Sequence, residues 1–262
     1  MLNVFRSARR TLRRWIKGPY ADLGFKPQPD FYYLASFPKS GNTWVRFLLA
    51  NLLAGEELGL QGFGRYVPDS HIKGDLAYMA DPATPFNQMR PRFVKTHLHY
   101  RPIFRRAIYI ARDGRDAMTS YFHWRNKRSE QPVTLREIIT GNIYWGSWSD
   151  HVLGWLNSCC ELLVVKYEDL YADTAGQVRR ILDFCGMRAS DEQIAAAVAA
   201  SSFDRMRAKE KAAQGATTPF FVRKGGSGDW RNLFSPEDEE LFWRYHRVGM
   251  LAAGYGDHSG SS

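Results

Sequence analysis

The chain has 262 residues, 44% hydrophobic and 14% aromatic, enough for one sizeable core and short of the length at which two domains are the rule. Its net charge is +9, and six of those nine charges lie in residues 1–17, MLNVFRSARRTLRRWIK, where no acid stands. The longest uncharged apolar run, Phe47 to Gly55, is far below the ~20 residues of a membrane span, and no apolar signal-peptide core precedes a cleavage site.

In the basic start, Phe5, Ala8, Leu12 and Trp15 recur at helical steps with the arginines mostly opposite. Three readings stay open: a solvated basic helix resting on the domain, a peripheral anchor to anionic membrane through residues 1–17, and an organelle transit peptide. Gly18–Pro19 and Pro27–Pro29 break the pattern, so the expected units are a basic segment over 1–18, one domain over 19–252 and a flexible tail over 253–262. Cys159, Cys160 and Cys185 are odd in number and two are adjacent, which argues for a reducing, cytoplasmic setting without a disulfide framework. No Cys/His cluster has metal-ligand spacing.

A strand is predicted at 31–36, a loop over Phe37–Asn42 and a helix over 43–54. The loop, SFPKSGNTW, is not a Walker A, because Lys39 precedes Gly41. Gly41 lets the backbone approach a ligand, the amides of 40–43 open the helix, and Lys39, Ser40 and Thr43 add charge and hydroxyls, a set suited to an anion. The plain alternative is a strand-to-helix turn capped by Ser40 or Asn42. Residues 55–91 show no sustained period and read as an irregular excursion over the sheet, a substrate lid.

Short apolar runs at 92–94, 107–111 and 162–166 read as buried parallel strands. Helical patterns lie near 115–127, 134–140, 145–158, 174–185, 190–200 and 236–250, and 204–229 reads as a long loop. The alternation implies an α/β fold: a doubly wound, mainly parallel sheet flanked by helices. In ARDGRDAMTSY a strand ends on Arg112 with Ser120 eight residues on, where an arginine fork and a hydroxyl can hold phosphate. The alternative is a surface ion cluster of Arg112, Asp113, Arg115 and Asp116. In FVRKGGSGDW, Arg223, Lys224 and Gly225 open a flexible cationic loop, or simply a solvated one.

Taken in order, these stretches resemble the PAPS-dependent soluble sulfotransferases (PAPS is 3′-phosphoadenosine 5′-phosphosulfate), over about residues 31–250. SFPKSGNTW is similar to that family's 5′-phosphosulfate loop, ARDGRDAMTSY to its 3′-phosphate signature and RKGGSGDW to its nucleotide-closing motif. The resemblance implies a P-loop-like fold and sulfuryl transfer from PAPS to a hydroxyl or amine of a small-molecule acceptor, in line and without metal, releasing PAP. It assigns Lys39 to the leaving phosphate, Ser40, Gly41, Asn42 and Thr43 to the 5′-phosphate, and Trp44 to adenine. Arg112, Ser120, Arg223, Lys224 and Gly225 fall on the 3′-phosphate. KYEDL implies Tyr167, and SSFDRM implies Ser201 and Phe203, near the nucleotide. PRFVKTHLHY resembles the family's Lys-Thr-His stretch, so His97 is implied as base and Lys95 as a charge stabiliser.

His99 and Tyr100 follow where the family often has proline, which leaves His99 open as a sharer of the base role. The dimer motif is poorly kept around Arg231, Ser235, Pro236 and Glu240, and no dimer is inferred. The acceptor walls are expected in 55–91 and 126–150, with Tyr66, Tyr78, Met79, Phe86, Tyr144 and Trp145. Two alternatives are an ATP-dependent kinase with a degenerate P-loop and a nucleic-acid-binding module. The first lacks a clear Walker B partner. The second is disfavoured because the charge sits in 1–17 and the aromatics do not interleave with it, so no nucleic-acid partner is expected.

Overall fold

Four apolar runs become four strands: β1 (Phe31–Ala35), β2 (Arg92–Thr96), β3 (Arg106–Ala111) and β4 (Glu161–Lys166). The computed structural model describes residues 23–60, 62–212 and 226–256, so the basic segment 1–17 and residues 223–225 lie outside the described residues. All strands are parallel in the order β2-β1-β3-β4, with Phe31 beside Arg92, Tyr33 beside Ala107 and Arg106 beside Glu161. The chain thus leaves β1 toward one edge and returns to its other side. Ligands collect beyond the carboxyl ends of strands at such a reversal. There the loop after β1 and the end of β3 meet.

Helices fill the crossovers. Between β1 and β2 run α1 (Asn42–Ala54), α2 (Lys73–Ala80) and α3 (Pro85–Gln88). Between β3 and β4 run α4 (Gly114–Asn126), α5 (Leu135–Ile139) and α6 (Trp148–Leu156). After β4 come α7 (Tyr167–Ala172), α8 (Thr174–Phe184), α9 (Asp191–Ala200), α10 (Phe203–Ala212) and α11 (Pro236–Ala252). The strand period of two splits the core. Tyr32, Leu34, Phe93, Ile108 and Ile110 pack with α1, α8 and α9 on one face. Phe31, Tyr33, Val94, Ala107 and Tyr109 pack with α4, α5, α6 and α11 on the other. Both faces are covered, as a parallel sheet requires. No helix among the described residues is long and apolar enough to cross a membrane.

Four expectations need correction. The excursion over 55–91 contains α2 and α3, and the loop predicted from 204 begins with α10. Neither α2 nor α10 has an apolar stripe to read: α2 buries no residue, and α10 buries only Met206 and Glu210. Bonds to residues outside each helix hold them instead. Asp75 of α2 accepts from the Asp69 amide and from the Arg46 guanidinium, each at 2.7 Å, and Lys209 of α10 donates to the Leu58 carbonyl at 2.7 Å. β4, expected to be buried, is an edge strand that among the described residues pairs only with β3, and of its residues only Val165 is fully buried. The expected tail begins on packed residues, since Ala253 is buried and the Tyr255 hydroxyl donates to Glu168 at 2.7 Å.

Candidate active site

Between β1 and α1 the backbone takes two left-handed residues, Lys39 at φ 69° and Gly41 at φ 95°. A Cβ on Gly41 would stand 2.6 Å from the Tyr167 ring, so only glycine fits this approach. Among the described residues no side chain caps α1 at its N-terminus, and the buried Ser40 hydroxyl has no hydrogen-bond partner. Unpaired N–H groups and the helix dipole make that end anion-seeking. The Asn42 side chain turns away from that end. Its side-chain amide donates inward, to the Leu34 carbonyl at 2.9 Å and the Ser36 hydroxyl at 3.1 Å. Thr43 is half-buried in the first turn. The Lys39 ammonium lies 5.7 Å from the Trp124 ring centre. Burial, then the nearby Arg128 and Arg112 guanidinium groups, lower its pKa to about 7, while Glu210 acts in the opposite sense.

Arg112, at the end of β3, joins two of the three stretches to each other. Its NH1 donates to the Lys39 carbonyl and its NH2 to the Gly226 carbonyl, both at 2.9 Å, and its buried Nε has no partner among the described residues. The guanidinium lies 4.3 Å from the Tyr167 ring centre, and the Tyr167 hydroxyl accepts from the Gly226 amide at 3.1 Å. Ser120 stands half-buried in the second turn of α4. The surface ion cluster considered as the alternative is half right. Arg115 pairs with Asp113 at 2.8 Å. Asp116, however, is buried and accepts from the Gly228 amide at 2.6 Å and the Trp230 amide at 3.1 Å. Sequence reasoning missed Asp116, although it lies inside a quoted motif, because a carboxylate next to arginine reads as an ion pair.

Trp44, Tyr167, Tyr171 and Phe203 form an aromatic cluster beside the loop, with Trp44 and Phe203 ring centres 4.7 Å apart. Tyr171 remains half exposed. Ser201 lies behind this cluster rather than on its surface: its carbonyl accepts from the Trp44 indole at 3.0 Å and its buried hydroxyl from Asn51 at 2.9 Å.

On the other side of the loop lie the histidines. His97 Nδ1 is 2.8 Å from the Ser36 carbonyl. A carbonyl only accepts, so Nδ1 carries the proton and Nε2 keeps its lone pair. Burial and the Lys95 ammonium hold His97 well below the usual histidine range, neutral at pH 7. Its amide donates to His71 Nε2 at 2.9 Å. His99 is tied elsewhere, with Nε2 donating to the Trp145 carbonyl at 2.9 Å. Fully buried His151 donates from Nε2 to the His97 carbonyl at 3.2 Å and receives the Tyr109 hydroxyl at 2.9 Å. Burial keeps it neutral, with a pKa of about 3.

Lys95 is buried, and its ammonium pairs with Asp69 at 2.8 Å. Burial alone would raise the Asp69 pKa, but Lys95 and Arg46 together hold it far below the usual carboxylate range. Of the expected acceptor walls, Trp145 comes to the histidines, lying 5.4 Å from the His97 ring edge-on, and Tyr144 packs edge-on against Trp145. Phe86 does not: it is core, 5.5 Å from Phe31. Tyr66 and Met79 pack against the two core clusters, and Tyr78 is half-buried.

Residues 29–252 match the family model described as a sulfotransferase domain. The sulfotransferase 6B1 of Pan troglodytes is 30% identical over 225 residues, which is 80% of this chain and 73% of the relative. The sulfotransferase 1C2 of Homo sapiens is 28% identical over 255 residues, 86% of this chain and 85% of the relative. Among solved structures, the mouse sulfotransferase SULT7A1 complexed with PAP superposes with a TM-score of 0.68 at 24% identity, covering 90% of this chain and 92% of that one. A retinol dehydratase in complex with androsterone and PAP superposes at 0.67 with 21% identity, covering 91% and 85%. Both structural likenesses bear on the fold.

Proposed function

The chain belongs to the sulfotransferase-domain family, and from that premise we propose that it transfers a sulfuryl group from PAPS to a hydroxyl or amine of a small-molecule acceptor, releasing PAP. The observation that carries the reading is Arg112, which ties the loop carbonyl of Lys39 to Gly226 while keeping a buried Nε unpartnered. The relatives in complex with PAP support the same choice of nucleotide.

The residues fit a phosphosulfate nucleotide. An uncapped helix N-terminus, an orphaned Ser40 hydroxyl and the orphaned Arg112 Nε all await an acceptor. Bound PAPS supplies the activated sulfuryl group. Lys39 and the amides of Ser40–Thr43 would hold its 5′ end, with the Asn42 contribution coming from backbone alone. Arg112 and Ser120, joined by Arg223, Lys224 and Gly225, would hold the 3′-phosphate. Trp44, Phe203 and Tyr167 would bound the adenosine, with Ser201 supporting Trp44 from behind.

His97 takes the acceptor proton at Nε2, the nitrogen that the Ser36 contact leaves open. Its depressed pKa keeps it in the accepting form at neutral pH. His99 donates from Nε2 to the Trp145 carbonyl, so any share it takes in this task falls to its Nδ1. Lys39 and the α1 N-terminus oppose the charge that grows as the sulfuryl group moves in line, so the transfer asks for no metal ion. Lys95 acts through its pair with Asp69 behind His97 rather than on the transferring oxygens. Three free cysteines agree with a reducing, cytoplasmic setting. The charge of residues 1–17 suits contact with an anionic membrane surface.

Titration calorimetry with PAP and ADP tests the nucleotide site. Two contacts of ~1.5–3 kcal/mol each to the 3′-phosphate make PAP bind on the order of a hundredfold or more tighter than ADP in wild type. In Arg112→Ala that difference collapses. Equal binding of PAP and ADP to wild type would overturn the reading in favour of ATP chemistry.

A further inference from the structure

We propose that His71 is a positioning residue for His97, fixing the main chain from which the base projects. The proposal rests on reading His97 as the base. Residues 68–70 run alongside β2 as a short parallel extension: the Lys95 amide donates to the Pro68 carbonyl at 2.9 Å and the Ser70 amide to the Lys95 carbonyl at 3.0 Å. This register brings position 71 beside position 97.

Asp69 then fixes His71 locally. One carboxylate oxygen accepts the His71 amide at 2.9 Å, and the other is ion-paired with Lys95 at 2.8 Å. The anchor is rigid because Asp69 itself is buried. From that anchor His71 Nε2 accepts the His97 amide at 2.9 Å. The two imidazole planes lie 16° apart with centres 5.9 Å apart, and the Trp145 indole stands edge-on to both, at 5.2 and 5.4 Å.

An imidazole nitrogen that accepts an N–H must be unprotonated, so His71 carries its proton on Nδ1. His71 is exposed, so burial does not account for its fixed ring. His97 is thereby held at three atoms: its amide by His71, its carbonyl by His151 and its Nδ1 by Ser36. Only Nε2 remains for the acceptor. Loss of the first anchor lets the amide turn toward water and the ring drift, and a misplacement of ~1 Å at a reacting group can cost ~100-fold in rate.

The test compares His71→Leu, which removes the acceptor atom, with His71→Gln, whose amide oxygen replaces Nε2. Hydrogen exchange of the His97 amide reads the bond directly. Long-range ¹H–¹⁵N spectra read the tautomer of both rings, and sulfuryl transfer from PAPS to a simple phenol reads the rate. In His71→Leu we expect the amide to exchange ~10-fold faster or more and kcat to fall ~10–100-fold, with PAP affinity and melting temperature unchanged, while His71→Gln stays within about threefold of wild type. A His97 amide that exchanges equally in wild type and His71→Leu overturns the proposal, whatever the acceptor. So does a His71→Gln variant no better than His71→Leu. Full turnover in His97→Ala would instead sink the base assignment itself, which separates the two failures.

Discussion

Lys39 is a lysine whose charge is conditional. Its pKa, lowered to about 7 by burial and by the Arg128 and Arg112 charges, means that near neutral pH a substantial fraction of the free protein lacks that ammonium. A phosphate arriving beside it favours the charged form, so binding draws in a proton. The sign is fixed: uptake is larger at pH 8 than at pH 7, because less of the free lysine is protonated there. PAP titrations in two buffers of different ionisation enthalpy should show this uptake. Lys39→Arg should abolish it, because a guanidinium stays charged throughout. A wild-type protein with no proton uptake at pH 8 would show that Lys39 does not meet the phosphate. His97 works in the opposite sense. Its pKa lies well below the ordinary 6.5, so the free enzyme should show no loss of kcat/KM at pH 6.5 from its protonation.

At the scale of elements, the strands and the capped helices were legible because their signals are local. The run of buried residues in β1 is continuous in sequence, and α11 announces itself by Ser235, Pro236 and Asp238, which form a capping box with proline in the first turn. Of the elements that stayed hidden, α2 and α10 have polar surfaces and are placed by partners outside the helix, Asp69 and Arg46 for one and Leu58 for the other. The joint between α4 and the 226–230 stretch is of the same kind. Buried Asp116 receives two backbone amides there, and Asp116→Asn replaces one accepting oxygen with a donor that faces an N–H. Leaving a buried donor unsatisfied costs about 1–3 kcal/mol, so we expect a loss of that order in urea denaturation. PAP binding should weaken as well, since the loosened stretch carries the Gly226 partner of Arg112. Wild-type stability and affinity in this variant would mean that the joint does not support the site.

For the whole molecule, the strand order decides where chemistry can happen. Because β1 lies between β2 and β3, the loop after β1 and the end of β3 open onto one crevice, and the Lys-Thr-His stretch at the end of β2 reaches it from the other side. The proposed contact of residues 1–17 with an anionic membrane surface is separable from the nucleotide site. With six of nine net charges in residues 1–17, deleting them should abolish sedimentation with anionic vesicles while leaving PAP affinity unchanged. Retained vesicle binding by the truncated protein would move the membrane contact onto the domain.

The sequence by itself determined the α/β class, the four strands and the order of the nucleotide motifs, because each depends on residues adjacent or one helical turn apart. It also singled out Lys39, Arg112 and His97, since a strand ending in a charged residue already says which end of the sheet that residue serves. Only the tertiary structure decided what those residues touch. It turned Asn42 inward onto the Leu34 carbonyl, gave Lys95 to Asp69, and set His71 against His97 across 26 positions of chain. Such pairs are chosen by strand register and by the need to satisfy buried amides and charges, conditions that exist only once the sheet has closed.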